Sequence, residues 1–168
     1  MARALVGSVT ARVIGHTQRD VLVVPAGSTL GWNRILTATD GSRFSAVATD
    51  KAISFAQAYG GTLAVLSVVD VPPELYAEAP RAVEDLIKKA RGYTAAVRKQ
   101  AEAAGVAVET FVGEAEADEA ILKLAGEQKA NMIIVGSHGR TGLRRLLMGS
   151  VTEKVIGNST CPVLVVKS

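Results

Sequence analysis

The chain has 168 residues, 48% of them apolar, which is enough for one α/β domain with an ordinary core and a short appendage. Its formal net charge is +3 and only 4% of its residues are aromatic, so it lacks the basic, base-stacking surface of a nucleic-acid binder. No apolar run approaches the ~20 residues of a membrane span, and no secretory leader pattern is present. We therefore expect a cytoplasmic protein with no nucleic acid or membrane partner.

The first 28 residues repeat the last helix and strand of the chain. Residues 3–24 align with residues 145–166 at a constant offset of 142, without a gap. The shared letters include GSVT, VIG and VLVV. We predict that residues 1–28 are the helix–strand remnant of a preceding repeat and that residues 29–168 form a complete domain.

This remnant admits several uses. Its strand, residues 21–24, can pair with residues 163–166 of the same chain, or it can be exchanged with a second chain in a domain swap. The segment can also complete a site in trans, or it can be a by-product of the start site. We expect its main role to be in assembly.

From residue 34 onward, predicted strands alternate with predicted helices. The strands are residues 35–39, 62–69, 106–112, 132–135 and 163–166. The helices are residues 45–59, 83–104, 118–128 and 150–156, and residues 70–80 are predicted to be a loop. This alternation favours an α/β fold with a five-stranded parallel sheet and helices on both faces. Ligands bind such sheets beyond the C-terminal ends of the strands, where the strand order reverses.

A glycine constellation lies between the fourth strand and the last helix. Gly136 is followed by Gly139 and, after nine further residues, by Gly149 and Ser150. Glycines permit φ > 0 and let a ligand approach the backbone, and a helix N-terminus offers free N–H groups and a positive dipole to a phosphate. The hydroxyls of Ser150 and Thr152 add donors in the first helical turn. The alternative is a tight connection that holds no ligand.

Charged residues near these glycines suggest further contacts. Among Arg140, Arg144 and Arg145, we favour Arg140 as the phosphate partner because it adjoins the glycine pair. Asp40 ends the first strand of the domain and is expected either to bind Mg²⁺ through water or to bond a ribose hydroxyl, with an Asx turn or helix cap as the alternative. His138 is expected near the ligand, without a catalytic role.

These motifs resemble those of the universal stress protein family. The segments that carry the resemblance are ILTATDGS, LSVVD and IIVGSHGRTGLRRLLMGSVTEKVIGNSTCPVLVV, and it covers residues 33–168. The Gly-x2-Gly-x9-Gly-Ser pattern resembles that of the ATP-binding subgroup. The resemblance implies an adenine nucleotide α-hydrolase-like fold, a strand order of 3-2-1-4-5, and a homodimer paired through the last strand. It also implies ATP or another adenine nucleotide, with Mg²⁺, as cofactor.

Carried over by position, the resemblance implies a set of nucleotide-binding residues. Ala38, Thr39 and Asp40 would line the adenosine and metal side, and Val68 would meet the adenine through its backbone. The remaining residues would hold the ribose and phosphates: Gly136, Ser137, His138, Gly139, Arg140, Gly149, Ser150, Val151 and Thr152. Two departures stand out: the GEAEADEAIL segment reads as a longer link than usual, and the remnant competes for the dimer edge.

Three functions compete at this point. The first is an ATP-binding regulatory protein that responds to stress through nucleotide-dependent conformation and dimerisation. The second is a slow ATPase or phosphotransferase, which we disfavour because no base or nucleophile is evident, so no catalytic residue is assigned. The third is a nucleotide-free dimerisation module.

Overall fold

The computed structural model describes residues 6–140 and 148–168. Within these residues the helices are α1 (Ser8–His16), α2 (Arg43–Tyr59), α3 (Pro73–Glu78), α4 (Pro80–Ala103), α5 (Ala117–Glu127) and α6 (Ser150–Asn158). The strands are β1 (Val21–Val23), β2 (Arg34–Ala38), β3 (Thr62–Val68), β4 (Val108–Gly113), β5 (Met132–Gly136) and β6 (Val163–Val166). None of the helices in the described residues is both long and apolar enough to span a membrane.

All the described strands form one sheet, in the order β1-β6-β5-β2-β3-β4. Strands β2, β3, β4, β5 and β6 are parallel to one another, and their order confirms the predicted 3-2-1-4-5 arrangement and the α/β fold class. The predicted strand count needs one correction, because β1 adds a sixth strand, antiparallel to β6. The strand order reverses between β2 and β5, so a crevice opens beyond the C-terminal ends of these two strands.

The central strands are apolar on both faces because helices cover both sides of the sheet. Ile35 and Ile134 pack with the residues of α2 and α4 on one face. Leu36 and Ile133, their neighbours in sequence, pack with residues of α5 and α6 on the other face. Successive strand residues point to opposite faces, so a strand buried on both sides reads as a continuous apolar run.

Two connections differ from the prediction. The segment predicted as a loop contains the short helix α3, whose first turn starts with proline, a residue suited to a helix N-terminus. The link between β4 and α5 is short, residues 114–116, so the expectation of a long link there is wrong. Residues 117–122 of the GEAEADEAIL segment belong to α5, and Asp118 and Glu119 in the first turn of this helix complement the helix dipole.

The N-terminal segment packs on its own chain. Val21, Leu22 and Val23 of β1 pair with Val165, Leu164 and Val163 of β6. The Asp20 carboxylate accepts a hydrogen bond from the Lys167 N–H (2.9 Å) and forms an ion pair with Lys51 Nζ (3.1 Å). Ile14 of α1 is fully buried in the core on the α5–α6 side. In the structure, therefore, the strand pairs within the chain.

Candidate functional site

A cavity of about 290 Å³ opens beyond the C-terminal ends of β2, β3 and β5 and is bordered by the start of α6. It coincides with the crevice at the reversal of strand order. The predicted residues that line it are Ala38, Thr39, Asp40, Val68, Gly136, His138, Gly139, Arg140, Gly149, Ser150, Val151 and Thr152. The structure thus groups every predicted site residue except Ser137 around one cavity. Arg144 and Arg145 lie outside the described residues.

The glycines of the constellation are required by close packing. A Cβ on Gly136 would lie 2.8 Å from the Phe44 carbonyl oxygen, and one on Gly149 would lie 3.3 Å from His138 Cα. None of Gly136, Gly139 and Gly149 adopts the positive φ that glycine permits. Side chains at these positions would push apart β5, α2 and the start of α6. The glycines therefore allow three backbone segments to converge on the cavity.

The residues of the first turn of α6, whose backbone N–H groups begin the helix, line the cavity. Gly149 is the N-cap and has no side chain to bond these groups, which also lack partners within the helix. The Gly149 N–H itself donates to the Ser137 carbonyl (2.8 Å), which fixes the helix start against the loop after β5. A cavity edged by unpaired N–H groups and a positive helix end is suited to an anion.

The hydroxyls of Ser150 and Thr152 have different surroundings. Thr152 is buried, and its hydroxyl donates to the Gly136 carbonyl (2.8 Å). In the structure this hydroxyl links α6 to the end of β5, whereas the prediction was that it would be a donor to a phosphate. Ser150 is exposed at the helix start and is the better candidate donor.

Asp40 lies next to Gly139 in the lining of the cavity. Its Oδ1 accepts the Ser42 N–H (2.9 Å), which is the Asx turn considered as an alternative. Ser42, rather than Asp40, caps α2 by accepting the Ser45 N–H (3.2 Å). Asp40 Oδ2 lies 3.3 Å from where a Cβ on Gly139 would stand, so this oxygen is directed at the glycine loop.

The electrostatics of Asp40 favour its ionised form. Burial raises the pKa of the Asp40 carboxyl, but hydrogen bonding by Ser42, Ser45 and the Arg140 backbone outweighs burial and holds this pKa below its ordinary value. Asp40 is therefore a carboxylate at neutral pH. The described residues contain no cluster of three or more His, Cys, Asp or Glu side chains that could hold a metal ion. One carboxylate together with phosphate oxygens and water fits the way proteins hold Mg²⁺.

Arg140 links the glycine loop to α4. Its Nη2 donates to the Asp40 carbonyl (2.6 Å) and to the Tyr93 hydroxyl (3.3 Å), and its guanidinium lies 5.6 Å from the Tyr93 ring centroid. Tyr93 lies in the predicted helix at residues 83–104, and its contact with Arg140 was not predicted. No local signal connects two residues so far apart in sequence, so only the fold could show it.

The remaining polar residues organise the edge of the cavity. Ser137 is buried, and its hydroxyl lies 3.0 Å from His138 Nδ1, so it positions the histidine without lining the cavity. Ser45 does line the cavity, and its hydroxyl donates to the Ser42 carbonyl (2.9 Å) and lies 3.3 Å from Thr39 Oγ1. Ser45 was not among the predicted site residues, although its place in the first turn of a predicted helix was a usable signal. The other lining residues that were not predicted are Ala117, Ile121 and Val135.

A doubly wound parallel sheet with a glycine-lined cavity at the reversal of strand order defines the class of α/β proteins with an adenine nucleotide α-hydrolase-like fold. A family model described as the universal stress protein family matches residues 31–167. The chain belongs to this family.

Individual relatives and solved structures agree with this assignment. The universal stress protein MJ0531 of Methanocaldococcus jannaschii is 39% identical over 140 residues, which cover 81% of this chain and 82% of that protein. The solved structure of MJ0577, from the same organism, superposes with a TM-score of 0.72 at 30% identity over 82% of this chain and 96% of its own. A universal stress protein in complex with cAMP superposes with a TM-score of 0.59 at 26% identity over 80% of this chain and 96% of its own.

The segment α1–β1 is also included in some matches. A universal stress protein of Mycolicibacterium smegmatis is 31% identical over 179 residues, which cover 99% of this chain and 58% of that protein. The likeness therefore extends beyond the domain at residues 31–167 and includes the N-terminal helix and strand.

Proposed function

We propose that the chain binds an adenine nucleotide, ATP in the first instance, in the cavity between Asp40 and the start of α6. The observation that carries this proposal is the convergence of Gly136, Gly139 and Gly149, which leaves the first turn of α6 open to an anion opposite an ionised Asp40. The neighbour in complex with cAMP supports an adenine nucleotide as the ligand class. The cavity lies near the lower end of the volume range of small-molecule sites.

Each part of the cavity has a role in this proposal. The backbone of β3 at Val68 and the apolar wall at Ala38 would receive the adenine. The N–H groups of the α6 first turn and the Ser150 hydroxyl would bind the phosphates. Arg140 would exchange its contact with the Asp40 carbonyl for a phosphate oxygen, which forms a stronger charge-assisted hydrogen bond. Asp40 would hold Mg²⁺ through water, and the ion would offset repulsion between the carboxylate and the phosphates.

We expect the bound nucleotide to act as a regulatory signal. Arg140 contacts Tyr93 on α4. A movement of Arg140 on nucleotide binding would therefore change the contacts of α4. The β6 edge, through which a homodimer would form, is already paired with β1. Homodimerisation through β6 therefore requires β1 to be displaced or exchanged.

The chain offers a matched pair of variants to test the site. ATP is titrated by calorimetry against the wild type, Gly149→Val and Gly7→Val, after the nucleotide released by denaturing the purified protein has been identified by mass spectrometry. A side chain at Gly149 meets the His138 backbone, whereas a Cβ on Gly7 meets nothing within 4 Å. We expect Gly149→Val to weaken ATP binding at least about tenfold, or about 1.4 kcal/mol, and Gly7→Val to leave it unchanged. Equal affinities in all three proteins would contradict the site.

Metal dependence and turnover complete the test. Asp40→Asn should lower the affinity for ATP in Mg²⁺ and leave the affinity in EDTA nearly unchanged. Phosphate release, followed over hours, separates a nucleotide-binding regulator from an ATPase. We expect less than about one turnover per minute, against typical enzyme rates near ~10 s⁻¹. Faster turnover would favour the enzyme.

A further inference from the structure

The outer face of α1 is more exposed than the same residues of α6. Val13 is 51% exposed, whereas Val155, its counterpart in the repeat, is 0% exposed. Val9 is 73% exposed and its counterpart Val151 is 36% exposed. The difference arises because α6 packs against α5. The described residues provide no equivalent of α5 to cover α1.

Charge marks the same face of α1. In the complete domain, Lys154 Nζ lies 3.6 Å from Glu116 Oε2 and 3.4 Å from Asp118 Oδ1, at the start of α5. The counterpart of Lys154 in α1 is Arg12, which is exposed and forms no ion pair within residues 6–140 and 148–168. The outer face of α1 thus presents the apolar side chains of Val9 and Val13, which suit contact with another helix, and the cation Arg12, which suits the acidic first turn of such a helix.

The outer edge of β1 completes this surface. Leu22 lies opposite Leu164, its own counterpart in the repeat. Val21 lies opposite Val165, the counterpart of Val23, and Val23 lies opposite Val163, the counterpart of Val21. This is an approximate two-fold relation between the two copies of the repeat. β6 uses its other edge to bind β5 in parallel, and the two-fold relation places the corresponding edge of β1 on the outside of the sheet.

We propose that the outer face of α1 and the outer edge of β1 form a docking surface for the α5–β5 part of a second universal stress protein domain that lacks its own last helix and strand. The partner's helix would cover Val9 and Val13 with its acidic first turn at Arg12, and its strand would lie parallel to β1. An intact second copy of this chain does not fit, because its α5 and β5 are already covered by α6 and β6.

Docking would also place the partner's glycine loop beside Gly7 and Ser8. These residues stand at the start of α1 as Gly149 and Ser150 stand at the start of α6. A second nucleotide site would result. This consequence rests on the proposed function, but the docking itself does not.

The test uses the tagged full chain and a probe polypeptide of residues 29–144 of the same sequence, which contains α5 and β5 and stops before α6. The two are co-expressed, and the purified product is weighed by native mass spectrometry. We expect a complex with one copy of each. Arg12→Glu in the full chain should weaken it roughly tenfold, because two carboxylates would then face a third. Glu116→Lys with Asp118→Lys in the probe should restore it, and Arg98→Glu, a matched exposed helical arginine, should have no effect.

A fusion guards against a probe that fails to fold alone. Residues 29–144 are joined directly to Arg3, so that the repeat continues in register. We expect the added residues 29–144 at the N-terminus of the fusion to resist protease. The substitution Val13→Glu should make these residues sensitive to protease. This readout does not depend on nucleotide, so it separates failure of docking from failure of the proposed function. Three outcomes would overturn the proposal: no complex in trans together with protease sensitivity of the added residues in the fusion, a complex indifferent to Arg12→Glu, or a dimer of the full chain alone that Arg12→Glu dissociates.

Discussion

The segments α1–β1 and α6–β6 share a sequence and a local geometry but have opposite surroundings. Both helices have nine residues and a glycine N-cap, with φ −55° in α1 and φ −68° in α6. Each is followed by an extended residue whose N–H donates a hydrogen bond to the carbonyl of the valine four residues earlier. Local structure is thus set by the sequence itself. The burial of α6 and the packing around its glycine N-cap depend in addition on α5 and on the residues that follow β5. The same motif lines the candidate site in one copy and lies on an open surface in the other.

Removal of residues 1–28 should change the molecule most, because it uncovers the β6 edge. Two such chains are expected to pair through β6 in the register that β1 now uses, with Leu164 opposite Leu164. Light scattering should show a mass twice that of the monomer, whereas removal of residues 1–6 alone should leave the mass unchanged. A truncated protein that stays monomeric would show that the edge needs no partner.

The substitutions Val155→Asp in α6 and Val13→Asp in α1 should lower the unfolding free energy by different amounts. Val155 is fully buried, so an unpaired carboxylate there should cost roughly 4 kcal/mol of unfolding free energy. Val13 is half-exposed, and the same change should cost no more than about 0.5 kcal/mol. Urea denaturation measures both values. Similar losses would mean that α1 is covered as well as α6.

Removal of the threonine hydroxyls gives a finer version of this comparison. Thr152→Val removes the hydrogen bond to Gly136 and leaves that carbonyl without this partner, which should cost about 1–2 kcal/mol. It should also weaken nucleotide binding by loosening the start of α6 from the end of β5. Thr10→Val, at the equivalent position of α1, should change the unfolding free energy by less than about 0.5 kcal/mol. If both variants lost the same unfolding free energy in urea denaturation, the hydrogen bond between the Thr152 hydroxyl and the Gly136 carbonyl would not stabilise the fold.

Asp20 is one of the positions at which the two copies differ in sequence, since its counterpart is Pro162. Asp20→Ala removes an ion pair with Lys51 and the acceptor for the Lys167 N–H, both partly exposed, so the expected cost is only about 0.5–1 kcal/mol. Hydrogen exchange should nevertheless show faster exchange of the β1 amides while the α6 amides keep their protection. If the β1 amides exchanged at the same rate in Asp20→Ala and in the wild type, the contacts of Asp20 would not stabilise the pairing of β1 with β6.

The fold could be predicted because its signals are local. Apolar runs gave the strands, glycines such as Gly60 gave the helix ends, and the repeat identified α1 and β1. The family resemblance supplied the strand order. The short helix α3 was missed because its few residues carry no periodicity and are flanked by prolines.

The candidate site was predictable to the extent that it consists of backbone. Glycine spacing revealed where β5 and α6 converge, but the reason for these glycines is packing against Phe44 and His138 rather than positive φ. Side-chain partners across the fold were not predictable. The contact of Arg140 with Tyr93 and the use of the Thr152 hydroxyl within the protein depend on how helices pack on the sheet, which no short motif encodes.

The pairing of β1 with β6 also affects aggregation. β6 is a run of four buried apolar residues, and an open edge of this composition would be a template for further strands and for amyloid-like growth. β1 covers that edge and replaces it with one of only three residues, with Asp20 before it and Pro25 shortly after. A short strand with a charge and a proline close by is a poor template. The N-terminal segment therefore protects the chain from uncontrolled sheet extension even when no partner is bound.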